Sequence, residues 1–277
     1  RGAVLGREFT YELIAAVSPP TAPVQQNLAL LVEAELLYLR GTPPEERYVF
    51  KHALVQEAAY QSLLKRTRQH YHQHIAQVLE ARFPDLCQAQ PELLAHHYTA
   101  ANLPARAIPY WQRAGRIAIE RSAHTEAYHH FTQGIALLTA LPDSPDRAQQ
   151  ELSLQLALGA PLIASKGYGA PEVRQVYARA QALCQQLGDS PRLLQALLGL
   201  EAFYFIRGEL QTAQQFAERC WTLVEHQHDP VRRLPVHWAF GQVLFHRGQF
   251  VPALAQVEHG LSLYTPELHQ PRALQDS

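Results

Sequence analysis

The chain has 277 residues, with 24 Lys plus Arg against 25 Asp plus Glu, a net charge of -1 and 47% hydrophobic residues. That length suffices for one or two domains with a substantial core, and the hydrophobic share excludes wholesale disorder. Near-neutral charge argues against a coat for nucleic acid or an anionic membrane, and no stretch approaches the roughly 18 apolar residues that span a bilayer. Arg1-Gly2-Ala3-Val4-Leu5-Gly6 is not a basic-then-apolar signal peptide, so a cytoplasmic location is expected. There is no methionine, which suggests a piece of something longer whose chemistry could lie elsewhere. Cys87, Cys184 and Cys220 lack paired spacing and read as reduced, packed thiols.

Taken in chain order, the first apolar run predicts a short helix over 9–17, stopped by Ser18-Pro19-Pro20. A second helix starts at Val24, with Leu28, Leu31, Leu36 and Leu37 on its stripe. Then Leu37-Tyr38-Leu39-Arg40 and Tyr48-Val49-Phe50 flank Gly41-Thr42-Pro43-Pro44, a hairpin signal. Two helices followed by a small hairpin is the order of a winged-helix module, here without its first helix, and it is assigned to residues 1–52. Beyond Lys51 the pattern is helical throughout. Connecting helices are expected over 53–65, 67–83 and 91–101, within residues 53–103. From 104 to 277 helices are expected at 104–121, 124–140, 147–164, 171–187, 191–207, 210–226, 231–247 and 250–263. Pro84-Asp85, Leu141-Pro142-Asp143, Gly188-Asp189-Ser190-Pro191 and Asp229-Pro230 carry the turn chemistry between them. The fold class is all-α with one small β-hairpin.

An internal repeat sharpens that reading. Gly208, Ala213 and Cys220 recur forty residues on as Gly248, Ala253 and Gly260, and forty earlier Val173, Tyr177 and Ala180 stand in the slots of Ala213, Ala217 and Cys220. A helical hairpin cannot bury its own apolar face, so it stacks on its neighbours as a solenoid. The pattern resembles the tetratricopeptide repeat. Its packing positions fall on Trp111, Gly115, Ala127 and Phe131 in one copy, and on Tyr204, Gly208 and Ala213 in a second. A third copy has Gly241, Gly248 and Ala253. The period departs from that family's 34 residues or so, and Glu201 stands where a small residue is expected. HEAT-like repeats have comparable periods; the Gly-turn-Ala spacing favours the tetratricopeptide reading. In that family the inner face of each first helix lines a partner groove. The resemblance implies Gln112 and Arg116, Leu198 and Phe205, and Trp238, Gln242 and Phe245 for this role, toward a protein or peptide.

Motifs for chemistry are sparse. A phosphate loop needs GxxxxGK[ST], and Lys51, Lys65 and Lys166 follow no such loop; no GxSxG is present. Gly167-Tyr168-Gly169 reads as a helix–helix turn. His70 and His74 have a spacing that can bind zinc, but lack the flanking Glu of a metalloprotease motif. His96-His97 and His129-His130 diverge by about a quarter turn and share a metal poorly. Glu45-Glu46 sit in the hairpin loop as solvated charges. No catalytic residue, cofactor site or metal site is assigned. The would-be recognition helix offers Gln25, Gln26 and Asn27 but no basic residue, which argues against DNA; Lys65-Arg66-Thr67-Arg68 reads as a solvated helix end.

Longer phrases carry a further resemblance. Val4-Leu5-Gly6-Arg7-Glu8-Phe9, Leu31-Val32-Glu33-Ala34-Glu35-Leu36-Leu37 and Phe50-Lys51-His52-Ala53-Leu54-Val55-Gln56-Glu57-Ala58-Ala59-Tyr60 are the first three. Glu92-Leu93-Leu94-Ala95-His96-His97-Tyr98 and Lys166-Gly167-Tyr168-Gly169-Ala170-Pro171-Glu172-Val173 follow. Together they resemble the region after the nucleotide-binding core of large bacterial signal-transduction ATPases of the AAA/STAND type. In these an output domain, often a class III adenylate or guanylate cyclase, precedes an ATPase, a winged helix and repeats. The resemblance implies a non-catalytic regulatory region that contacts the parent's own ATPase domain. ATP and magnesium are then expected only in domains upstream. The alternative is the sensor region of a LuxR-type transcriptional regulator or of a protein kinase fusion.

Overall fold

A computed structural model describes residues 1–41, 46–227 and 229–265, and the chain divides into two compact units, Arg1–Ala114 and Gly115–Ser277. The expected turn at 42–44 and the Glu45 carboxylate lie outside the described residues.

The first unit begins with α1 (Gly2–Leu5), β1 (Glu8–Thr10), α2 (Tyr11–Ala16) and α3 (Val24–Glu33). The strands β2 (Leu37–Arg40) and β3 (Arg47–Phe50) complete an antiparallel sheet of order β1-β3-β2. The helix expected over 9–17 is therefore shorter. Phe9 is buried opposite Tyr48, its ring stacked at 6.1 Å, so the chain extends through Thr10. The Thr10 hydroxyl then accepts the Leu13 N–H at 3.2 Å and starts α2 one residue later. Three residues are too few for an alternation to show. The second helix also stops before its predicted end. Glu35 takes φ 56° and Leu36 N–H reaches back to the Leu31 carbonyl at 2.9 Å, which turns Leu37 into β2. Lys51 holds Glu35 there through a 2.6 Å ion pair.

The rest of this unit is helical: α4 (Ala53–Gln61), α5 (Lys65–Arg82), α6 (Pro84–Ala89) and α7 (Pro91–Ala100), with the unit boundary inside α8 (Pro104–Glu120). His72, Ile75, Ala76 and Leu79 form the buried stripe of α5, and Leu94, Ala95 and Tyr98 that of α7. Glu80 ties these elements together, accepting from Tyr98 at 2.6 Å, Tyr110 at 2.5 Å and Arg106 at 2.8 Å. Burial opposes ionisation of Glu80, but those donors outweigh it and hold its carboxyl below the usual range.

The second unit contains α9 (His124–Leu138), α10 (Pro145–Lys166), α11 (Pro171–Leu187), α12 (Ser190–Ile206), α13 (Leu210–Val224), α14 (Pro230–His246) and α15 (Phe250–Leu263). Each helix from α9 onward packs on the next, and α12 additionally touches both α10 and α14. The even-numbered helices thus form one layer of an array of helical hairpins. Both α12 to α14 and α13 to α15 repeat at 40 residues, as the sequence register requires. The hairpin turns are built alike. Gly208 and Gly248 both sit at φ 75°, and the next residue's N–H returns to the carbonyl of Tyr204 or Leu244 at 2.9 Å. An L side chain rarely adopts that backbone, which is why glycine recurs. Ser144, Asp189 and Asp229 cap α10, α12 and α14 through their side chains.

Packing between layers follows one rule of size. Phe131 is fully buried against Gly115, where a methyl group would overlap its ring. Tyr177 of α11 is wedged between Gly159 of α10 and Gly199 of α12, and a methyl at either would strike it. Gly241 faces Val257 more loosely: a methyl added there would stand 3.2 Å from the nearest valine carbon. In α12 the sizes are exchanged: the register of Gly241 and Val257 falls on Glu201 and Ala217. Both are buried, Glu201 at 4% exposure.

Candidate functional site

Residues of α10, α12 and α14 line a shallow, open concavity of about 550 Å³. Small residues open it: Ala160 of α10 and Gly199 and Ala202 of α12 line it, and the Tyr177 ring closes its floor. Burial pushes the Tyr177 phenol up, so it stays a neutral hydroxyl. Leu198, Val231 and Pro235 supply apolar walls, and Gln195 and Arg232 the polar ones.

On α14 the same face continues as Val231, Pro235, Trp238, Gln242 and Phe245, spaced by four, three, four and three residues. Trp238 is 61% exposed and Phe245 57% exposed, large for aromatic rings in a packed array. Phe245 leans on Phe250 with ring centroids 5.5 Å apart, and Phe205 of α12 meets His246 edge-on at 4.9 Å. Of the expected groove residues, Leu198 lines the concavity itself. Trp238, Gln242 and Phe245 extend its face along α14, and Phe205 lies seven residues beyond Leu198 on α12. Gln112 and Arg116 lie on α8 on either side of the unit boundary, half-buried and exposed respectively.

The expected packing residues are placed as follows. Ala127, Phe131, Ala213 and Ala253 are buried, as are Gly115 and Gly241. Gly208 and Gly248 are turn residues. Tyr204 is half-buried and stacks on Phe216 at 5.5 Å. The Trp111 indole donates to Thr99 at 3.0 Å.

The electrostatics of α14 are one-sided. α14 carries Arg232 and Arg233 and no acidic residue. Arg232 donates to the Gln227 side chain at 2.8 Å and, more weakly, to the Pro191 carbonyl at 3.5 Å. Arg233 lies 5.7 Å from the Trp221 ring centre. Glu201 is the acidic residue of α12, and its Oε1 is buried without a partner. Desolvation raises its pKa to about 8, so it is mostly protonated at neutral pH.

Outside the groove, the structure collects groups that the sequence left scattered. His72 and His97 meet Nδ1 to Nδ1 at 2.8 Å, Tyr60 hydrogen-bonds His72 at 3.0 Å, and the His96 ring lies 5.7 Å from that of His72. Burial, then neighbouring His96 and Arg68, lowers His72 to about 4; burial and the other two histidines lower His97 to about 3. These rings are neutral packing groups. His70 is exposed and His74 half-buried on other parts of α5. Among the described residues no group of three or more His, Cys, Asp or Glu side chains could hold a metal. All three cysteines are free and buried, and burial pushes the Cys220 thiol up to about 12. Lys166 pairs with Glu172 at 2.6 Å across the turn between α10 and α11. No described helix is long and apolar enough to cross a membrane. A separate cavity of about 460 Å³ in the first unit is walled by Ile14, Leu28, Leu31, Leu37 and Phe50.

No protein-family model matches the chain. An uncharacterized protein of Rhizobium meliloti (strain 1021) is 24% identical over 270 residues, covering 95% of this chain but 26% of that protein. The chain therefore spans about a quarter of the length of the curated relative it matches. Among solved structures, BtubC (BKLC) from P. vanneervenii superposes with a TM-score of 0.53 at 14% identity, covering 80% of this chain and 86% of that one. This likeness is one of fold. A STAND protein with a tetratricopeptide repeat sensor from Pyrococcus horikoshii superposes over 94% of this chain and 43% of its own. At a TM-score of 0.41 and 13% identity that superposition is too loose to bear on the fold.

Proposed function

We propose that this chain is a non-catalytic, protein-binding regulatory region of a larger signal-transduction ATPase, with tetratricopeptide-like hairpins that present a partner groove. The observation that carries the reading is the face of α12 and α14. A concavity of about 550 Å³ opens there over Leu198, Val231 and Pro235, and the stripe that continues from it along α14 carries Trp238 and Phe245, whose rings are more than half exposed. Exposed apolar patches rimmed by polar residues mark interaction sites, and aromatic anchors carry much of the binding energy of an interface. Residues 1–52 would form the winged helix that relays occupancy to the ATPase. Their helix, strand, helix, helix, strand, strand order, with β3 central, supports that assignment. Such a relay requires a partner that binds one state of the parent better than the other. ATP and magnesium would bind the upstream ATPase, and a nucleotidyl cyclase would be the output, in a bacterial cytoplasmic protein.

The test is to replace Trp238 and Phe245 with alanine in the full-length protein, measuring partner capture together with thermal melting. Both side chains are exposed, so the fold should persist while capture is lost. Unchanged capture by a folded variant would overturn the groove assignment.

A further inference from the structure

We infer that the groove between α10, α12 and α14 takes an acidic peptide segment, one carboxylate of which seats on Arg232 while a neighbouring apolar side chain enters over Leu198 and Gly199. This rests on the groove reading above and adds the chemical class of the partner.

Charge decides the class. Arg232 is the charged residue among those lining the concavity, and among the described residues no carboxylate lies within ion-pair distance of it. Its two hydrogen bonds go to neutral oxygens, of which the Pro191 contact is long, so a carboxylate can displace it and form a shorter charge-assisted pair. Of the other cations at the heads and ends of these helices, Arg192 pairs with Asp189 at 2.5 Å and Arg207 with Glu209 at 3.1 Å, whereas Arg233 and Arg247 add positive charge to α14 and pair with no described carboxylate. The acids nearby are engaged too. Asp189 holds Arg192, and Asp229 accepts the Val231 N–H at 3.0 Å as the cap of α14. The buried Glu201 carboxyl carries little charge at neutral pH, so it does not offset Arg232. Pro191 and Val231, in the first turns of α12 and α14, line the same space and add the positive ends of two helix dipoles to the guanidinium, against the one negative end that the last turn of α10 brings through Ile163.

Shape decides the neighbour. Gly199 has no side chain because the Tyr177 ring fills its place from beneath, leaving a shallow seat beside Leu198. Trp238, one to two turns along α14 from Arg232, offers a flat exposed ring on which the departing peptide can lie.

The experiment is to pan a random library of displayed twelve-residue peptides on the whole 277-residue chain. The affinity of the enriched peptides is then measured for the parent, Arg232→Gln, Trp238→Ala and, as control, Arg192→Gln. The inference predicts net-negative sequences with at least one large apolar residue. It also predicts about tenfold weaker binding to Arg232→Gln, little change with Arg192→Gln, and weakening as salt rises. Neutral or basic selected sequences would overturn it, as would no enrichment over a no-protein control. Peptides that depend on Trp238 but are indifferent to Arg232 would refute the acidic class while leaving the groove itself standing. Melting of Arg232→Gln alongside the parent confirms that the variant is folded.

Discussion

Replacing Glu201 with glutamine should remove a pH dependence that the second unit otherwise carries. The carboxyl is 4% exposed, one of its oxygens is buried without a partner, and desolvation raises its pKa from 4.5 to about 8. In the folded chain it is therefore protonated over a range in which the unfolded chain is ionised. The unfolded state binds fewer protons, so stability falls as pH rises through the window between 4.5 and about 8. At about 1.4 kcal/mol per pH unit, the whole window corresponds to roughly 5 kcal/mol, and the part between about pH 5 and 7.5 to roughly 3 kcal/mol. Glutamine keeps the shape and cannot ionise. The assay is denaturant unfolding of parent and Glu201→Gln at a series of pH values, taking the difference between the two at each. Other titrating groups, including the buried histidines, cancel in that difference. Glutamine should gain on the parent steadily as pH rises. A difference that stays constant with pH would refute a buried, protonated Glu201.

The glycines make a second comparison. Gly115→Ala should destabilise by about 1–3 kcal/mol in denaturant unfolding, because the added methyl overlaps the buried Phe131 ring, although alanine is the better helix former by about 1 kcal/mol. Gly241→Ala, with only a close contact to Val257, should be near neutral; equal costs at both sites would contradict the packing described. In the first unit, His72 and His97 have pKa values lowered from 6.5 to about 4 and about 3, so their contribution is present above pH 6.5 and is lost on acidification. His97→Asn should make the acid loss of stability shallower, by about one proton, and an unchanged slope would count against neutral buried rings. Glu80→Ala, which strands the hydroxyls of Tyr98 and Tyr110, should lower stability by about 1–3 kcal/mol or more, read from the same unfolding curves.

Much of the helical array was legible because a 40-residue register and proline or glycine turns mark each hairpin from outside. Helix boundaries near 171, 210 and 250 agree with the sequence reading to the residue, since caps and turns are local devices. The strand β1 was not legible: three residues carry no period, and only pairing with β3 reveals it. The short α1 and α6 escaped for the same reason. The groove was partly legible. Leu198, Trp238 and Phe245 were named through the resemblance to tetratricopeptide repeats, whereas Arg232 and Tyr177 reach the concavity through the way the helices meet. Gly159 and Gly199, forty residues apart around Tyr177, were a signal that could have found its floor. The histidine cluster joins α5 to α7, so no spacing along one helix could predict it.

The central claim is that the face of α12 and α14 receives the partner. A photo-crosslinking residue placed singly at Gln195 or Gln242, and for comparison at exposed Gln215 on α13, tests it directly in the full-length protein under signalling conditions. The account predicts a defined crosslinked partner from the two groove positions and none from Gln215. Crosslinking confined to Gln215, or equal from all three, would contradict it.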